Sequence, residues 1–131
     1  MTYQEFFEKE YKYRSYEQKI ANARYDYKQL QNKGLDPIEL VCVVSGANGG
    51  VNDAKYRLMV DLTNDRASYG SFSSLISAMY TPYTVERVCK RFHKDQETMN
   101  SAIAIILLFA SIRGSLSSDD NKMINLIYFG Q

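Results

Sequence analysis

Residues 1–34 read MTYQEFFEKEYKYRSYEQKIANARYDYKQLQNKG, and the way this stretch folds sets the shape of the rest of the chain. Thr2 followed three residues later by Glu5 is a capping box, in which each side chain satisfies an orphan backbone N–H of a first helical turn. Gly34 offers the left-handed stop position after Lys33. The expectation is one helix over residues 3–33. Positions seven apart read Phe6, Tyr13, Ile20 and Tyr27, and those three further on read Lys9, Tyr16, Ala23 and Leu30, so all but Lys9 are apolar or aromatic. Such a repeat is the seam of a coiled coil or of a long helix laid against a partner. The alternative is that the seam packs on the protein's own core, as heptad patterns do inside bundles. A helix of about 31 residues is roughly 46 Å long at ~1.5 Å per residue, more than a compact domain of this size needs. Part of it is therefore expected to project, with Phe6, Tyr13, Tyr16, Ile20, Tyr27 and Leu30 as a self-association or partner-binding element. That predicts a homodimer or larger assembly.

Working outward, residues 35–131 are expected to form the compact helical core of the same domain. Asp36, Pro37 and Glu39 supply an N-cap, a first-turn proline and a capping-box acid for a short helix reaching about Val44. Residues 45–50 (SGANGG) connect it to a helix capped by Asn52 or Asp53 and carrying Tyr56, Met59, Val60 and Leu62. Residues 41–44 are β-branched apart from Cys42, and Tyr56, Leu58, Val60 and Leu62 alternate, so a β-hairpin over residues 39–62 is the structural alternative. Further on, Ser71 caps a helix to about Tyr80, and Thr81 with Pro82 starts one bearing Val85, Val88, Cys89 and Phe92 on one face. Asp95 caps a helix that is apolar nearly all round over residues 102–110 and ends at Gly114, with Ile103, Ile106, Leu107 and Phe109 at the centre of the core. Ser117 and Asp120 open a last helix closing at Gly130. The predicted fold is all-α, a long N-terminal helix followed by a compact group of short helices; the alternative is α+β through the hairpin.

Composition narrows the function. Lys plus Arg total 16 against 15 Asp plus Glu in 131 residues, so no overall field draws the molecule onto nucleic acid or an anionic membrane. Cys42 and Cys89 stand in apolar stretches with no metal spacing, which suits buried free thiols in a reducing cytosol. The opening MTYQEFFEKEYK has no apolar core of a secretory signal, and the apolar run over residues 102–110 is too short to span a bilayer. A cytoplasmic protein with no membrane partner is expected. Eleven Tyr, six Phe and no Trp, with many Tyr beside charged residues, suit a wet contact surface.

Residues 74–92, SLISAMYTPYTVERVCKRF, resemble a helix-turn-helix, although the turn lacks the customary glycine. The resemblance implies a second helix in the major groove, with Thr84 near base edges and Arg87, Lys90, Arg91 and Lys94 on phosphates. These four cations against Glu86 leave a local charge of +3 (4 − 1), which suits an acidic protein equally well. The competing reading is two ordinary core helices with a solvated basic face. Cys89 and His93, four apart, invite a thiol–imidazole pair, but a core thiol and a histidine near a helix C-terminus account for them more simply. The SGANGG loop lacks the Lys-Ser/Thr pair of a P-loop and reads as a flexible linker, its N–H groups being the place to test small anions. No catalytic set, cofactor or metal site is expected.

The first functional expectation is thus a small non-catalytic interaction protein, oligomeric through its first helix, that blocks or bridges another protein. Inhibitors and adaptors encoded by phages or plasmids are of this general kind. The second is a DNA-binding transcriptional regulator using residues 74–92.

Overall fold

A computed structural model of the chain describes residues 2–50, 52–63 and 81–130. The described residues form α1 (Tyr3–Lys9), a 3₁₀ turn (Tyr11–Tyr13), α2 (Tyr16–Asn32), α3 (Pro37–Gly46), α4 (Asp53–Thr63), α5 (Pro82–Lys90), α6 (Gln96–Arg113) and α7 (Ser118–Phe129), with no strand among them. The fold is all-α. The helix expected to start at Ser71 and the first half of the helix-turn-helix resemblance fall on residues 64–80, outside the described residues.

The hairpin alternative is replaced by two helices, α3 and α4, for reasons visible at their first turns. The Asp36 carboxylate accepts from the Ile38 N–H, and Pro37 stands in the first turn, where no N–H is required. Asn52 Oδ1 accepts from the Lys55 N–H at 2.9 Å. The β-branched run in α3 stays helical because every residue from Leu40 to Ala47 is buried, so tertiary packing overrides intrinsic propensity.

The long N-terminal helix is not formed. Glu10 leaves helical geometry at φ −128° and ψ −58°, Arg14 and Ser15 are extended, and Ser15 Oγ accepts from the Gln18 N–H at 3.2 Å to start α2 afresh. The physical reason lies in two buried residues. On an unbroken helix Tyr11 and Ile20 would point in opposite directions, since nine residues at ~100° each bring the chain round by about 180°. Both are nonetheless in the core, at 3% and 5% exposure, together with Phe7 stacked on Tyr11 at 6.3 Å. The interruption lets both faces turn inward. It is held by the Lys19 ammonium donating to the Lys12 carbonyl at 3.1 Å and by the Arg14 guanidinium lying 5.4 Å from the ring centres of both Phe6 and Tyr11. α2, with 17 residues, is about 25 Å long at ~1.5 Å per residue and fits the width of the domain.

The core centres on α6, whose residues from Ala102 to Ala110 are buried apart from the partly exposed Ala104. Its most extensive neighbour is α2, and α3, α4 and α7 close around it, while α5 packs on α3 and α7. Asp95 caps α6 through the Thr98 N–H at 2.9 Å, and Gly114, at φ 84°, ends it in the left-handed conformation that glycine adopts without strain. The Ser117–Asp120 capping box then reverses the chain into α7.

The SGANGG connection is a built structure. The carbonyls of Ser45, Ala47 and Gly50 converge on the Lys55 ammonium at 3.2, 2.6 and 2.7 Å. The side chain that closes this cage is itself buried, at 4% exposure, and Asn48, Gly49 and Gly50 take positive φ to aim their backbone around it. Next to it, the buried Asp120 carboxylate pairs with Arg113 and accepts from the Ser117 N–H at 3.0 Å.

Candidate binding groove

The residues expected to form an association seam are divided by the fold. Ile20 and Leu30 are inside the core, and Phe6, Tyr16 and Tyr27 are half-buried against it. Tyr16 donates to the Asp61 carboxylate and carries the Arg57 guanidinium 4.8 Å from its ring centre; burial, reinforced by Asp61, pushes its hydroxyl up to about 12. Tyr13, at 74% exposure, is the one member left in solvent. The seam therefore packs on the chain's own core, chiefly α6, and no projecting rod carries it.

The basic set is likewise reduced. The Thr84 N–H and hydroxyl are bound to Thr81 at the start of α5, as part of its cap. Lys90 pairs with Glu86 at 2.7 Å, and Arg91 pairs with Glu39 of α3. Arg87 and Lys94 are the two members without an ion pair among the described residues, so the +3 patch shrinks to two available cations.

The side chains singled out in the sequence for their chemistry are held in structural contacts. α5 ends at Lys90, so Cys89 and His93 do not share a helix face; Cys89 is buried, while His93 Nδ1 meets the Ile127 carbonyl at 2.9 Å. Burial pushes both thiols, Cys42 and Cys89, up to about 12, far from the thiolate form a nucleophile needs. The SGANGG loop turns carbonyls inward upon a cation, the reverse of an anion cradle. No group of three His, Cys, Asp or Glu capable of holding a metal occurs among the described residues. Asp26 stands apart: burial pushes its carboxyl up to about 6, against the opposing effect of Ser101 Oγ, which donates to it at 3.1 Å. It projects from α2 towards α6.

A concave feature among the described residues lies elsewhere, between the start of α1 and the outer face of α7, with a volume of about 390 Å³. One wall is Thr2, Tyr3 and Gln4; the other is Asn121, Ile124, Asn125, Tyr128 and Phe129. Local rules place these side chains. On α7, Ile124 and Tyr128 are four apart and form one ridge, while Asn121, Asn125 and Phe129, also four apart, form the next ridge outward. Thr2 caps α1 through the Glu5 N–H at 3.1 Å, which fixes Tyr3 and Gln4 in its first turn. The walls meet where the Tyr3 and Tyr128 rings pack edge to face at 5.7 Å, and Tyr128 in turn meets Phe129 at 4.9 Å. The Tyr3 hydroxyl donates to Asn100 Oδ1 at 2.9 Å, an oxygen that also accepts from Gln96, so the ring has a fixed orientation. Burial, then the proximity of Tyr128, raises the Tyr3 pKa, keeping it a neutral donor.

Phe129 remains 61% exposed at one end of this groove. None of the lining residues is charged, in a chain of which 24% of residues are Asp, Glu, Lys or Arg. The sequence carries the α7 half of this site as the Asn121, Asn125, Phe129 spacing, but the facing wall is more than a hundred residues away and has no local signal. Comparison with protein-family models, curated proteins and solved structures gives no match.

Proposed function

We propose that this chain is a small non-catalytic interaction protein of the cytoplasm, working as an inhibitor or adaptor by engaging another protein at the groove between α1 and α7. The observation that carries the reading is that groove: a fixed aromatic floor, flanking amide side chains and an exposed Phe129 form a surface with aromatic anchors of the kind that dominate binding energy. The other exposed large apolar residues among those described, Tyr13, Tyr25 and Ile112, belong to other elements. The two buried free thiols support a reducing compartment, and no helix among the described residues is long and apolar enough to cross a membrane. Self-association through an N-terminal coiled coil is withdrawn with the helix that motivated it, and a second copy at the groove becomes an outcome of the test.

Affinity capture from the native host, with nuclease treatment as control, is expected to recover a protein that the wild-type chain retains and the Asn125→Ala/Phe129→Ala variant loses. Light scattering at high concentration separates this from dimerisation. Recovery of the same proteins by both chains, or of none by either, refutes the assignment to the groove.

DNA binding is the second reading, supported by Arg87 and Lys94, whose charges meet no acid among the described residues. With two phosphate contacts the logarithm of the affinity falls by about 1.8 per decade of salt, at ~0.9 per contact, so retardation of a random duplex is expected at low salt and is lost in Arg87→Ala/Lys94→Ala. Absence of retardation at low salt removes this reading.

A further inference from the structure

We infer that Asp26 is a proton-operated latch for the N-terminal strap, residues 2–14: a neutral carboxyl lets the strap lie over the seam between α2 and α6, and ionisation lifts it. The strap supplies the Thr2, Tyr3 and Gln4 wall of the groove. The latch therefore regulates that site, a consequence that rests on the protein-binding reading above.

The strap is fixed by one ridge. Tyr3, Phe7 and Tyr11 recur every four residues; the Tyr3 hydroxyl is bonded to Asn100 of α6, and Phe7 and Tyr11 are in the core at 0% and 3% exposure. Asp26 of α2 meets Ser101, the neighbour of Asn100 in α6, through the 3.1 Å hydrogen bond. The ridge thus crosses the seam beside that carboxyl. At its other end burial pushes the Tyr11 hydroxyl up, with Arg14 opposing and the Asp26 charge adding to the effect. A hinge joins the strap to the rest, since Glu10 leaves helical geometry and Arg14 and Ser15 are extended, so residues 2–14 can lift without unwinding α2.

The surroundings of Asp26 do not compensate its charge. It enters no ion pair among the described residues. From α6 it receives the Ser101 hydroxyl alone. On the strap, Arg14 lies over the Phe6 and Tyr11 rings and donates to Asn22, while Lys12 pairs with Glu8. Along α2 itself, Lys19 donates to the Lys12 carbonyl two turns before Asp26, and Lys33, two turns after it, is engaged by Asp95 and Glu97. A carboxylate so placed has one hydroxyl in exchange for its hydration, and it must take up a proton or draw in water. Water reaches it when the strap lifts. Burial accordingly pushes the carboxyl up to about 6 against the Ser101 bond; the closed state holds the extra proton, so the strap stays down below that pH and loosens as pH rises through it.

The test uses the full chain labelled with ¹⁵N and ¹³C. Exchange rates of the α1 amide protons, divided by their intrinsic rates, are compared at pH about 5 and about 7.5 in wild type and in Asp26→Asn, with α6 amides as the reference. The interval from 3.8 to about 6 sets an upper limit of about a hundredfold on the change, and the partial exposure of Asp26 brings the expected loss of protection at the higher pH to about tenfold. Asp26→Asn is expected to hold the strap equally at both pH values. If that variant does not fold, wild type decides alone: the Asp26 carboxyl ¹³C signal and the amide signals of residues 3–13 are expected to titrate with one midpoint. Strap protection independent of pH, the same loss in Asp26→Asn, or a strap midpoint different from that of the Asp26 carboxyl overturns the inference. These readings need only the purified chain, so a latch that passes while affinity capture recovers no partner sinks the groove reading alone.

Discussion

Replacing Lys55 with Met tests the carbonyl cage that ties α3 to α4. The substitution keeps the unbranched shape of the side chain up to its last atom and removes three charge-assisted hydrogen bonds, to Ser45, Ala47 and Gly50. Hydrogen bonds to a charged group contribute ~1.5–3 kcal/mol each, so the gross loss is about 4.5–9 kcal/mol. Two effects oppose it. The ammonium no longer has to be taken out of water, a cost of several kcal/mol in its own right, and burial with the nearby Arg113 guanidinium already pushes the Lys55 pKa down. The Gly50 end of the cage is only partly buried and can rehydrate its carbonyl. The net expected loss is about 3 kcal/mol. With a urea m-value of ~1.5–2 kcal/mol per molar for a chain of this size, the midpoint falls by about 1.5–2 M with the slope unchanged. Circular dichroism during urea titration reads both quantities. A midpoint within about 0.3 M of wild type would show that the loop holds its shape without the cation, and would refute the account given of it.

Other expectations follow from the same geometry. Asp26→Asn keeps an acceptor for Ser101 and removes a carboxylate whose folded pKa, about 6, lies above its unfolded value of 3.8; the native state holds the extra proton, so wild-type stability declines as pH rises through 6. After allowance for the partial exposure of the group, the variant should be about 1–2 kcal/mol more stable than wild type at pH ~8 and equal to it at pH ~4, and a gain independent of pH contradicts the assignment. Asp120→Ala removes a buried carboxylate that pairs with Arg113 and completes the α7 capping box, with an expected loss of about 3 kcal/mol and a Tm lower by roughly 10 °C in calorimetry. Leu30→Ala should cost about 2–5 kcal/mol and Tyr13→Ala less than ~0.5, because Leu30 is in the core and Tyr13 in solvent; a Leu30→Ala chain that changes association state with no loss of stability would restore the intermolecular seam. Ser15→Ala should cost about 1 kcal/mol in urea titration through loss of the α2 cap, whereas an unbroken helix would be indifferent or gain.

What the sequence makes legible is what local chemistry decides. Thr2, Asp36 with Pro37, Asp95, Ser117 with Asp120, and the glycines at 114 and 130 each open or close a helix where their residue types say they should, because a cap is formed within four residues. Across residues 10–15 a second local signal, Ser15 three residues before Gln18, competes with a heptad pattern that runs through it. The pattern is a coincidence of two faces, and the conflict resolves only when Phe7 and Tyr11 are seen to need the same core as Ile20. The Lys55 cage could not be read in advance, since nothing in the spacing of a lysine beyond a glycine-rich loop says that three carbonyls will turn toward it. The pairing of Arg91 with Glu39 spans 52 residues, and so the basic surface expected from residues 82–94 is larger than the one that folds.

The two hidden sulfurs make the molecule its own reporter of opening. Cys42 and Cys89 lie on α3 and α5, neither accessible in the closed fold and neither joined to the other. Alkylation of each thus proceeds only through excursions that expose its helix, and mass spectrometry after tryptic digestion times the two separately. If α5 lifts away ahead of global unfolding, Cys89 is modified first, and the lag before Cys42 measures how far the chain behaves as one cooperative unit.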